Sequence, residues 1–187
     1  MGGKPQDDEG VEFYRRMSQK RPDYAHTWYR QGNTHALNEE YQKAIDCYMK
    51  ALETRPDHVN ALNNIGNAYM AKNLYKQAID YYRKALELNP LDELAWGNRG
   101  IAHGYLGEFK EAIHCFEQAL KLNDENVKVL SNMGITYFNK GENSEARKCF
   151  SKVLELNPDD ELALSCLARM NEKAEDSKRG LISRFFG

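Results

Sequence analysis

Residues 59–92 read VNALNNIGNAYMAKNLYKQAIDYYRKALELNPLD, and the same design is written four times in succession. Gly66 recurs every 34 residues as Gly32, Gly100 and Gly134. Twelve residues after each glycine stands Ala44, Ala78, Ala112 or Ala146, and four further on an aromatic, Tyr48, Tyr82, Phe116 or Phe150. Ala51, Ala85, Ala119 and Val153 follow, each trailed by leucine, and the copies close on Pro56, Pro90, Asp124 and Pro158. A fixed period of this length means stacked units, each too small to bury its own apolar face and each completed by its neighbour.

The residue types give each unit its shape. Glycine on a first helix and alanine on a second let two backbones approach closely, and the aromatic fills the space beside that contact. Proline ends the second helix because it has no N–H and disfavours helix in the residue before it. Asp92, Asn126 and Asp160 then stand where the next helix needs an N-cap. The spacing predicts first helices near 25–38, 59–72, 93–106 and 127–140, and second helices near 41–54, 75–88, 109–122 and 143–156. Gly107 and Gly141 mark two of the turns between them.

The period also organises the ends. Counting back one unit places Tyr14, Met17 and Pro22 at the aromatic, small and proline positions, so residues 10–21 read as an orphan second helix capping the N-terminal face. Residues 161–175 are amphipathic and read as a closing helix, which an array needs to cover its last apolar face. The domain is therefore expected over 10–175, with units at 25–58, 59–92, 93–126 and 127–160. Residues 1–9 form a flexible tail and 176–187 a basic-apolar tail. The start has no apolar stretch of a secretory signal, and Gln6 stands where a myristoylation motif requires Ser or Thr. No apolar run approaches the roughly 20 residues that span a bilayer, and the tail ending in Phe185 and Phe186 is too short for stable membrane insertion. The expected compartment is cytoplasmic.

Net charge is −2, so no overall field draws the chain to nucleic acid. Cys47, Cys115, Cys149 and Cys166 form no CxxC pair, and the adjacent His114 and Cys115 point about 100° apart on a helix. Neither metal nor cofactor is expected. His35 and His103 recur two units apart and read as packed side chains, since neither has a nucleophile at helical spacing. With no nucleophile elbow, phosphate loop or HExxH, the sequence points away from an enzyme.

The glycine, alanine, aromatic and proline spacings over about 25–160 resemble the tetratricopeptide repeat. That resemblance implies an all-α, right-handed superhelical solenoid of antiparallel helix pairs whose first helices line a concave groove for extended peptides. Carried over by position, the groove comprises Arg30, Asn64, Asn98 and Asn132, then Asn33, Asn67, Ile101 and Ile135, with Tyr105, Phe138 and Lys128. Its N-terminal half reads as polar, its C-terminal half as apolar, and none of these positions is acidic. Asn64, Asn98 and Asn132 form a ladder similar to that of O-linked N-acetylglucosamine transferases. An amide offers both donor and acceptor to a peptide backbone, and mid-helix Asn costs about 0.5–0.7 kcal/mol relative to Ala, so propensity does not favour it. Duplication of a shared ancestral unit would equally place three Asn in register. Co-chaperones of this family hold a carboxylate with a Lys-Asn-Asn-Lys-Arg clamp. Here those places hold Asn63, Asn67, Asn98, Lys128 and Asn132, so two of the three cations are missing and that clamp is not expected. The reading is a monomeric, non-catalytic adaptor binding a protein or peptide partner. The alternative is a scaffold that self-assembles through its convex face or C-terminal tail.

Overall fold

The computed structural model describes residues 24–172. The described residues form helices and turns, with no strand among them. Four hairpins follow one another: α1 (Tyr24–Leu37) with α2 (Tyr41–Thr54), α3 (Val59–Ala71) with α4 (Tyr75–Leu88), α5 (Glu93–Tyr105) with α6 (Phe109–Leu122), and α7 (Val127–Lys140) with α8 (Asn143–Leu156). A further helix, α9, runs over the described residues 161–172. The four second helices start and end on the residues the spacing predicts, and the first helices agree within one. The proposed N-terminal capping helix and both tails lie outside the described residues.

Each hairpin is locked by one glycine and one ring. Tyr48, Tyr82, Phe116 and Phe150 are essentially fully buried. A Cβ built on Gly32, Gly66, Gly100 or Gly134 would lie 2.5, 2.6, 2.6 or 2.9 Å from the facing ring carbon. The ring therefore lies directly over the glycine, closer than the sequence reading put it. Burying each such ring contributes about 1.5–3 kcal/mol, and no side chain other than hydrogen fits beneath it.

The caps follow the chemistry of the linkers. Asp92, Asn126 and Asp160 accept from the backbone N–H groups of Ala95, Val129 and Ala163 at 3.0, 3.0 and 2.9 Å. His58 caps α3 in the same way, its Nδ1 accepting from Ala61 N, a role the sequence reading did not foresee. The turns within hairpins need a left-handed residue, supplied by Gly107 and Gly141 in the last two units and by Glu39 and Asn73 in the first two. Helices pack mainly against their sequence neighbours, while α3 touches α5 and α5 touches α7. The first helices thus lie side by side and form a continuous wall.

Candidate peptide-binding groove

That wall carries three depressions. The first, of about 480 Å³, is lined by Asn33, Ala36, Leu37, Tyr41, Tyr48, Asn64, Asn67 and Ala68. A second, of about 210 Å³, lies between α5 and α7 over Ile101, Gly104, Tyr105, Asn132, Ile135, Thr136 and Asn139, with Phe109 and Phe116 at its base. A small third one, of about 30 Å³, adjoins it, with Glu93, Leu94, Gly97, Asn98, Asn126 and Lys128 in its wall.

Two hydrogen-bond networks repeat along the groove. Tyr48 Oη donates to Asn33 Oδ1 at 2.9 Å, and Asn64 Nδ2 donates to the same oxygen at 3.0 Å. One unit on, Tyr82 Oη and Asn98 Nδ2 converge on Asn67 Oδ1 at 2.6 and 3.1 Å. The two donors fix the orientation of the central amide. Asn33 and Asn67 therefore keep their Nδ2 donors unused, and Asn64 and Asn98 keep their Oδ1 acceptors. At each of the first two junctions the groove offers one amide donor beside one amide acceptor. The pattern stops where its parts stop. Phe116 has no hydroxyl, Ile101 replaces the central Asn, and Asn132 turns its Nδ2 onto the Lys128 carbonyl at 2.8 Å.

Most of the expected groove residues meet on this surface, with three departures. Arg30 is exposed on α1 and lines none of the three depressions. Phe138 packs with Ile135 into the core cluster that α9 completes through Ala163, Cys166, Leu167 and Met170, because α9 covers the face a fifth unit would occupy. An acid does stand in the wall, since Glu93 accepts from the side-chain amides of Asn126 and Asn123. The division into polar and apolar halves is also less sharp than the sequence reading. Ala36, Leu37 and Tyr41 make an apolar wall beside the first amide pair, and Asn132, Thr136 and Asn139 bring polarity to the other end.

Gly97 and Gly104 were not anticipated. Neither faces a core ring: a Cβ on Gly97 would meet Val129 Cγ2 at 3.4 Å, and one on Gly104 only Thr136 Oγ1 at 3.8 Å. Each lines a depression, and each costs α5 about 0.8–1.0 kcal/mol relative to Ala. Three glycines in one 13-residue helix was the available signal. Tyr105, 65% exposed, stacks on Tyr75 with centroids 4.8 Å apart and planes 5° from parallel, making an aromatic shelf at the groove's edge.

The titratable groups are tuned for packing. Burial raises the Cys115 and Cys149 thiols to about 11 and the Tyr48 hydroxyl to about 12, so all three stay protonated at neutral pH. Glu40 is held below its ordinary value by hydrogen bonds from Lys43 and His35. Among the described residues no three His, Cys, Asp or Glu side chains converge as metal ligands, and no helix is long and apolar enough to cross a membrane.

The sequence model of the tetratricopeptide family described as the cilia and flagella-associated protein 70 C-terminal domain matches residues 5–181. The chain belongs to that family. Its fold is the all-α, right-handed tetratricopeptide solenoid, and solved structures share it. A crystal structure of MamA protein superposes with a TM-score of 0.69 at 24% identity, over 81% of this chain and 82% of that one. MamA 41-end from Desulfovibrio magneticus RS-1 gives 0.70 at 23% identity, over 82% and 87%. The first tetratricopeptide domain of Spaghetti (RPAP3), solved bound to the HSP90 peptide SRMEEVD, gives 0.60 at 29% identity, over 63% and 93%. Among curated proteins none matches significantly. A tetratricopeptide protein of this kind is a protein-interaction module.

Proposed function

We propose that the tetratricopeptide groove binds an extended segment of a partner protein and that the chain acts as a non-catalytic adaptor. The observation that carries this reading is the donor and acceptor left over at each amide pair. Asn33 with Asn64, and Asn67 with Asn98, match the N–H and C=O groups that an extended peptide backbone offers on one edge. The peptide-bound RPAP3 domain supports the same use of this fold. Helices in contact lie about 8–10 Å apart, so the depression between α1 and α3 and the one between α5 and α7 are separated by roughly 16–20 Å, two helix spacings, across α3 and α5. An extended chain rising about 3.3 Å per residue spans that gap in five or six residues. The ligand thus places one apolar side chain against Leu37 and Tyr41 and a second against Ile101, Tyr105 and Ile135. Glu93 shares the wall with Lys128, so this part of the groove carries both signs of charge and does not select an acidic ligand residue.

The adaptor is proposed to be monomeric and cytoplasmic, in keeping with four cysteines that are all free thiols. Affinity purification with the wild type beside the Asn98→Ala/Asn132→Ala double variant tests the site. Partners retained by the wild type and lost by the variant support it. Retention of every partner by the variant would remove the amide ladder from the account.

A further inference from the structure

A separate cavity of about 290 Å³ opens between α5 and α6, walled by Arg99, His103, Lys110, Glu111, His114 and Cys115. It shares no residue with the groove depressions. Two of its side chains differ from those of the unit before. In the preceding unit the matching positions hold Tyr69 and Tyr81, whose rings stack with centroids 5.6 Å apart. The third unit has the smaller pair His103 and Cys115 there instead, as the first unit has His35 and Cys47, and the space that two tyrosine rings fill in the second unit is filled only in part. The charge on the wall is also particular to this unit. Gln31, Ile65 and Met133 occupy the position of Arg99 in the other units, and Asp46, Asp80 and Lys148 that of His114.

His103 is 7% exposed, and its Nδ1 lies 2.6 Å from Glu108 Oε2. Its other ring nitrogen, Nε2, is buried without a partner, and so is Nε of Arg99, one turn back on the same helix face. Trp96 steadies the wall, with the Arg99 guanidinium 5.7 Å from its ring centroid and the His114 ring edge-on at 6.3 Å. A guanidinium, an ammonium and two imidazoles therefore border one small space, opposed on the wall by Glu111 alone.

We propose that this cavity binds a tetrahedral, multiply charged oxyanion of the phosphate or sulfate class, free or carried on a phosphorylated side chain. Arg99 supplies the planar fork that suits such an oxyanion, and Lys110 supplies a mobile point charge. His114 lies within the cavity wall for a further donor. Glu111, the acid on the wall, repels the anion and weakens the site. The site is independent of the groove reading, and either can fail alone.

Carbon–proton NMR spectra of the five histidines test it, with inorganic phosphate and phosphoserine titrated separately against chloride at constant pH and ionic strength. The expected result is a saturable shift of His103 and His114 with at least one of the two probes. His35 serves as the internal control, because it is paired with Glu40 in the same way but has Gln31 and Asp46 beside it. Arg99→Gln and Lys110→Gln each weaken binding at least about tenfold, and Glu111→Gln tightens it. Saturation by phosphoserine alone assigns the anion to a protein partner, and saturation by both assigns it to the phosphoryl group itself. Lys110 is exposed, so its variant answers the question even if Arg99→Gln fails to fold. Parallel, unsaturable drift of all five histidines, or undiminished phosphate binding by the Lys110 variant, overturns the proposal.

Discussion

Helix α5 offers one substitution, glycine to alanine, with opposite expected signs at two sites about 6 Å of helix rise apart. At Gly100 the new Cβ would lie 2.6 Å from Phe116 Cε1, 2.8 Å from Cδ1 and 3.0 Å from Cζ. Phe116 is 1% exposed, so its ring cannot retreat without displacing the core. Overpacking of this kind costs about 1–3 kcal/mol, against which alanine returns about 0.8–1.0 kcal/mol of helix propensity. With contacts this short the upper part of that range applies, and the net loss is about 1–2 kcal/mol. At Gly104 the nearest atom, Thr136 Oγ1, is 3.8 Å away. Alanine there keeps nearly all of its propensity gain, about 0.5–1 kcal/mol. Urea unfolding followed by far-UV ellipticity reads both changes against the wild type. A Gly100→Ala variant as stable as wild type would refute the claim that the ring rests on the glycine. A clear loss at Gly104 would refute the claim that this glycine is kept for groove depth rather than packing.

Other outcomes follow from the same contacts. Tyr82→Phe removes a 2.6 Å hydrogen bond and should cost about 1 kcal/mol. Phe116→Tyr places a buried hydroxyl beside Ile101 and should cost about 1–3 kcal/mol, and adding Ile101→Asn should recover at least half of that in a double-mutant cycle; additive losses would contradict the network. Cys115 and Cys149 are raised by burial from an ordinary 9.0 to about 11, so the folded state holds protons that the unfolded state releases. Their contribution is intact below about pH 8.5 and is lost as pH rises towards 11. Melting temperatures should fall over that window and fall less in Cys115→Ala; an unchanged profile in wild type would contradict it. Disulfide-exchange reagents at pH 8 should label Cys115 only slowly in the native protein and promptly after denaturation, and prompt native labelling would contradict its burial.

The fold was legible because its signals are local and repeated. Gly66, Ala78, Tyr82 and Pro90 each state a geometric need, and the period multiplies that statement four times. The caps at Asp92, Asn126 and Asp160 were legible for the same reason, whereas His58 was not, since histidine caps too seldom to be read from type alone. The groove was legible only as a register. Which end of each amide is already occupied depends on Tyr48 and Tyr82 reaching across a hairpin, a contact 15 residues apart. The withdrawal of Phe138 depends on where α9 lands, and the entry of Glu93 into the wall on its contact with Asn126, 33 residues away. Gly97 and Gly104 carried a signal, an excess of glycine within one helix, but its meaning required knowing that no ring opposes them.

As proposed, the groove grips an extended peptide through amide pairs and two apolar seats. The most direct test is selection from a random peptide library, followed by equilibrium binding of the enriched peptide to the wild type, Tyr105→Ala and Asn98→Ala, the last of which removes one member of the second amide pair. Tyr105 is mostly exposed, so its variant should fold. The expected result is an enriched motif with two apolar residues five or six positions apart, and a loss of about tenfold or more in affinity for each variant. An enriched peptide that binds both variants as tightly as the wild type would place recognition outside the groove.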